Sequence, residues 1–187
     1  MPIVLKNSQV AAVIDTWLAR RQLSAILDAV RCPDYDLAVW LTTDRRIRLM
    51  NNSFRRVNKP TDILSFPTNE HLTPGTIPDP QLKALGDIII SVPYVIRQGF
   101  DVKHRLPVLF THGVCHLLGY DHETDDDYDK MKAREDAILE RLAELDLVDR
   151  DRIRDEPIIE SPSDMYVDRE KLRHPRETDD LPKVLSS

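Results

Sequence analysis

The sequence predicts a mixed α+β fold: a small sheet of about four strands packed with about five helices. Three observations carry this. Four short runs of β-formers, near residues 3–6, 37–42, 62–66 and 86–91, are bounded by turn-forming residues. Apolar residues at helical spacing fill most of the intervening chain. No internal repeat is visible, and 187 residues suit one domain with a tail.

Taken in order, Ile3-Val4-Leu5 reads as a short strand. Val10, Val13, Ile14, Trp17 and Leu18 then recur at helical spacing and place a helix start near Ser8. Leu23, Ile26, Leu27 and Val30 continue or restart its apolar face, and Pro33 stops it. Leu37 to Leu41 form a buried strand. Thr43 or Asp44 can cap a helix with Ile47, Met50 and Phe54 as its buried stripe. Its arginines fall mostly off that stripe, as on a solvated face. Pro60-Thr61-Asp62 breaks the helix and leads into strand Ile63-Leu64-Ser65-Phe66, closed by Pro67. Residues 69–81 carry Pro74, Gly75, Pro78 and Pro80 and read as a surface loop.

Gly86 to Ser91 is continuous enough to be a central strand. A helix then starts at Ser91 or Val92, with Pro93 in its first turn, and ends at Gly99. Pro107 marks the neighbourhood of another helix start, with Val108 to Leu118 as its apolar body. Thr124 with Asp127 resembles a capping box. Tyr128, Met131, Ile138, Leu142 and Leu145 supply the buried face of the last helix. The globular domain is expected to span 1–148. Residues 149–187 are charged, hold Pro157, Pro162, Pro175 and Pro182, lack periodicity, and read as a mostly disordered tail.

Composition bounds the function. No apolar run approaches a membrane span, and Met1 to Lys6 lacks the long apolar core of a secretory signal. Two cysteines, Cys32 and Cys115, argue for a reducing compartment rather than a disulfide scaffold. The formal charge of −6 argues against a generic nucleic-acid binder. The charge is uneven, however. Residues 44–60 hold six basic residues against one acidic, and local fields decide where a phosphate backbone can sit.

The stretch His112-Gly113-Val114-Cys115-His116-Leu117-Leu118-Gly119-Tyr120-Asp121-His122 carries the chemistry. His112 and His116 stand four apart, on one face of a helix. Gly119 permits the left-handed reversal that ends the helix and brings His122 back to them. Three neutral imidazoles with an open fourth position form the ligand set of a catalytic zinc. The spacing matches the zinc-binding frame of the metzincin proteases, except that Gly113 stands where they carry a glutamate general base. Cys115 reads as a small buried residue, since a fourth ligand would close the site.

Four blocks stand in order: Met50 to Arg55, Pro60 to Pro67, Leu85 to Ser91 and His112 to His122. Together they resemble the YbeY family of single-strand-specific metallo-endoribonucleases, which act in ribosomal RNA maturation and ribosome quality control. The resemblance covers roughly residues 1–146. The wording of Met1 to Gln9 and of Thr111 to His116 is nearer to the eukaryotic, organellar members. It implies a mixed α+β fold around a central metal-bearing helix and one zinc per chain on His112, His116 and His122. It further implies a single-stranded or ribosomal RNA substrate, ribosomal or small-subunit protein partners, and a cytoplasmic location, or a mitochondrial one in a eukaryote.

The same resemblance matches Arg55 to the family's functional arginine, whose planar fork suits a phosphodiester transition state. Arg45, Arg48, Arg56 and Lys59 would then grip RNA without reading sequence. Asp121 and Asp87 are candidates to hold the outer nitrogens of the ligating histidines. Asp121 reads equally as a turn residue, and Asp87 as a strand-end hydrogen-bonding group. The sequence leaves open the general base and whether water or a 2′-hydroxyl attacks. Two other classes compete: a ribosome-assembly factor whose zinc only holds the fold, and a zinc peptidase.

Overall fold

A computed structural model of the protein describes residues 3–69 and 71–154. The elements run β1 (Ile3–Asn7), α1 (Thr16–Ala29), β2 (Asp36–Thr42), α2 (Asp44–Arg55), β3 (Ile63–Pro67) and β4 (Ala84–Ser91). After them come α3 (Val92–Arg97), α4 (Val102–Leu117), α5 (Asp125–Glu144) and α6 (Arg150–Arg154). The sheet order is β1-β2-β4-β3, with β1, β2 and β4 parallel and β3 antiparallel on the edge. The predicted mixed α+β inventory is therefore present, with six helices among the described residues where about five were expected.

Strand alternation sorts the sheet into two faces. Leu37, Val39, Leu41, Ile63, Ile88 and Ile90 point into the main core with α1, α4 and α5. Trp40, Leu64, Phe66 and Ile89 point the other way, against Ile47, Met50 and Phe54 of α2. The histidine helix and the arginine helix thus pack on opposite faces, and both touch the edge strand β3.

Gly113 explains how closely α4 lies on the sheet. A Cβ built there would sit 2.7 Å from Ile88 Cδ1 and 3.2 Å from Ile63 Cδ1. The position next to the first histidine faces the sheet, so a glutamate there would be driven into the core rather than toward the imidazoles.

Several local expectations need correction. The helix expected from Ser8 begins at Thr16, capped by Asp15, whose side chain accepts from Leu18 N. Before it, the Gln9 side chain bonds both the N–H and the C=O of Ala12, which offers the backbone a non-helical solution. Val10 and Val13 are fully exposed there, not buried. Helix α2 ends at Arg55, with Arg56 left-handed (φ 62°), before Pro60 can act. Helix α4 starts at Val102, so Pro107 lies inside it, and Asp101 caps its first turn. The missing proline N–H forfeits one hydrogen bond near the helix start, which burial of Leu106, Leu109 and Phe110 offsets. Leu145 is exposed, and Leu147 fills the core in its place. Of the expected tail, residues 150–154 form α6, and 155–187 lie outside the described residues.

Candidate metal centre

Helix α4 places His112 and His116 one turn apart, 5% and 0% exposed. The helix closes with Gly119 N donating to His116 O and Tyr120 N donating to Cys115 O. Gly119 sits at φ +81°, and a Cβ on it would lie 2.1 Å from the Leu72 carbonyl oxygen. The chain then returns, and Asp121 Oδ1 accepts from His122 N at 2.8 Å. His122 comes back 8% exposed, its ring centroid 5.6 Å from that of His112 and 5.1 Å from that of His116. One ligand atom from each of the three lies within 4.8 Å of the others.

The outer nitrogens decide what the inner ones can do. His112 Nδ1 lies 2.6 Å from Glu135 Oε1, and His116 Nδ1 lies 3.0 Å from the Tyr120 carbonyl oxygen. A carbonyl only accepts, so His116 Nδ1 carries the proton, and with Glu135 ionised the same reading applies to His112. Both Nε2 atoms are then bare lone pairs, yet they face each other at 3.0 Å. His122 Nε2 is buried with no hydrogen-bond partner. Opposed lone pairs beside an orphaned nitrogen are unfavourable by themselves and fit a cation between them. The residues present therefore fit a zinc-type ion.

Burial pushes the His112 imidazole down to about 3, with His122 and Arg105 adding to the effect, and holds His116 well below its usual range. Burial pushes the Glu135 carboxyl up to about 7. Without metal, the unfolded chain binds extra protons on two histidines below about pH 6.5, whereas the fold binds one extra on Glu135 between about 4.5 and 7. The melting temperature of chelator-treated protein should therefore fall as pH drops below about 6.5. It should fall also as pH rises through about 7. A melting series that climbs steadily on acidification from pH 7 to 5 would contradict neutral burial of the histidines.

Gly119→Ala should be the most damaging single methyl addition near the site. Left-handed backbone alone is tolerable, since Arg31, Arg56, Lys83 and Asp146 adopt it. The Leu72 carbonyl is the obstacle, because backbone cannot rotate away as a side chain can. Conformational strain plus overpacking predicts roughly 3 kcal/mol of lost stability. That is a fall of roughly 10 °C for a chain this size, together with weakened metal binding as His122 shifts. Unchanged melting would mean that residues 71–73 yield easily.

The remaining candidates lie elsewhere. Asp121 serves the turn, as its bond to His122 N shows. Asp87 alternates with Ile88 and shares the α2 face with Ile89, away from the imidazoles, which corrects its candidacy beside the histidines. Cys115 is a fully buried thiol outside the ligand group, its pKa raised by burial. Arg55, at the end of α2, is half-buried and donates to Asn51 Oδ1 at 3.3 Å. Asn51 in turn donates to Lys59 O, tying the basic segment to the helix end. Arg45, Arg48, Arg56 and Lys59 are exposed, with Arg48 Nε donating to Asn58 Oδ1.

Two residues escaped the sequence reading. Glu135 holds His112, and Arg105, 2% exposed and stacked over Phe100, lies two turns before His112. Both had a signal. Glu135 falls on the Met131, Ile138, Leu142 stripe and Arg105 on the Leu109, His112, His116 stripe, each a charge where the period calls for an apolar residue.

The sequence model described as Endoribonuclease YbeY matches residues 5–143. The human protein of that name is 34% identical over 148 residues, covering 76% of this chain and 89% of the human one. That of Rhodopseudomonas palustris strain CGA009 is 40% identical over 149 residues, covering 72% and 77%. The strain BisA53 relative is 35% identical over 174 residues, covering 82% and 99%. The matched span holds β2, β3, β4, most of β1 and all three converging histidines, and the chain belongs to the endoribonuclease YbeY family.

Proposed function

We propose that this protein is a zinc-dependent endoribonuclease that cuts single-stranded RNA in ribosomal RNA maturation and ribosome quality control. The observation that carries the metal part is the set of three buried imidazoles with two outer nitrogens already engaged. Zinc, when bound, supplies a Lewis acid for the scissile phosphate. The chain's own residues do the rest. Glu135 and the Tyr120 carbonyl aim two ligands. The Arg55 guanidinium, anchored on Asn51, offers paired donors to charge gathering on the phosphate oxygens. The exposed basic residues of α2 and the segment after it, Arg45, Arg48, Arg56 and Lys59, hold the phosphodiester backbone and carry no base-specific information. An RNA reaching both helices would pass the edge strand β3, which both touch.

The burial of Gly113 against Ile88 removes the peptidase reading's catalytic position. Among the described residues no helix is long and apolar enough to cross a membrane. The deciding experiment is cleavage of a labelled single-stranded RNA and its duplex form by protein of known metal content. Metal-dependent cutting of the single strand alone is expected. Metal-replete protein that binds RNA and leaves it intact would favour an assembly factor with a structural zinc.

A further inference from the structure

We infer that Glu135 is a positioning residue of the metal centre: from α5 it fixes the tautomer and orientation of His112 and balances the charge of the ion. The inference rests on the reading that the histidines bind metal.

The geometry is the first argument. Glu135 Oε1 lies 2.6 Å from His112 Nδ1, and the pair is 18% and 6% exposed at the side chains. Once Glu135 is ionised, as it is beside a bound cation, it has no proton to give, so the bond runs from Nδ1–H to Oε1 and leaves Nε2 as the ligand atom. Rotation of the imidazole would break that bond in a place where water cannot easily replace it.

Placement is the second. Met131, Ile138 and Leu142, on the same stripe of α5, are 2%, 1% and 0% exposed. A carboxylate in that row is costly to bury unless something pairs with it. Helix α5 begins at its Thr124 cap, two residues after His122. Glu135 therefore ties the helix that follows the third histidine back to the first one, closing a ring around the site.

Charge is the third. Three neutral imidazoles bring no negative charge to a divalent ion, and the buried Arg105 guanidinium on the same helix face adds a positive one. Asp62 is a buried carboxylate among the described residues, but its Oδ1 already accepts from Ile63 N and Thr61 Oγ1. Glu135 meets the ring nitrogen of a ligand, whereas Asp121 accepts only from the backbone N–H of His122.

The test measures metal rather than turnover. Zinc dissociation constants come from competition with a chromophoric chelator, and the coordination from the visible spectrum of the Co2+-loaded protein, for wild type, Glu135→Gln and Glu135→Ala. Glu135→Ala should weaken zinc about 10- to 100-fold and alter the Co2+ bands. Glu135→Gln keeps an acceptor without charge and should fall between. Melting of the metal-free Gln variant should stay close to wild type. Equal zinc affinity and Co2+ spectra in wild type and the Gln variant would overturn the inference, even if the Ala variant failed to fold. Failure of the wild type itself to bind zinc would instead overturn the metal reading beneath it.

Discussion

A protein carrying both His112→Ala and His116→Ala should contain almost no metal, where the wild type should hold about one equivalent per chain. Two of three ligands are removed, and His122, which returns through the Gly119 turn, cannot hold an ion alone. The loss should show in stability as well as composition. An ion bound only by the folded state adds RT ln(1 + [L]/Kd), about 4 kcal/mol at a thousandfold excess over Kd. For a chain this size that is a rise of roughly 10 °C in melting temperature on zinc addition. The double variant should show no such rise. In the metal-free state it should melt less far below wild type than two lost buried side chains suggest. The opposed Nε2 atoms at 3.0 Å and the orphaned His122 Nε2 are already unfavourable there. Elemental analysis with paired melting curves checks both halves. Full metal content in the double variant would place the ion elsewhere.

Arg55→Ala should keep the fold and the metal yet cut RNA on the order of a hundredfold more slowly, the scale for removing one pre-placed donor from a transition state. Arg55 is not one of the three converging histidines and is tied to Asn51 at the end of α2. Its loss should therefore leave metal content and the zinc-induced melting rise untouched. Arg55→Lys should rescue poorly, since an ammonium cannot reproduce a planar fork. Arg48→Ala and Lys59→Ala, altering exposed residues, should instead weaken RNA binding and flatten its salt dependence with little effect at saturating RNA. Multiple-turnover cleavage of a labelled single strand, with zinc measured for each variant, separates these outcomes. A wild-type rate from metal-replete Arg55→Ala would remove Arg55 from the site.

The convergence of the three histidines was legible because it is local. The i, i+4 spacing of His112 and His116 and the glycine two residues beyond Leu117 act within eleven residues, where helix geometry and the left-handed turn dictate direction. Strand runs and caps were legible for the same reason, and Thr124 does cap α5, its Oγ1 accepting from Asp127 N. The misread helix start at Ser8 shows the limit. Val10 and Val13 have helical spacing, but a glutamine side chain and the Asp15 cap decided the backbone.

By itself the sequence determined the three histidines, the glycine that turns the chain between them, and the family. Tertiary structure alone decided what stands behind those histidines. Glu135 is twenty-three residues from His112 along the chain, and only the packing of α5 on α4 brings them to 2.6 Å. It also decided that Asp87 faces away from the imidazoles and that α2 lies across the sheet from them. Local spacing sets a side chain's direction relative to its own helix or strand. Which partner it meets depends on how separate elements dock, and that depends on burial summed over the whole core.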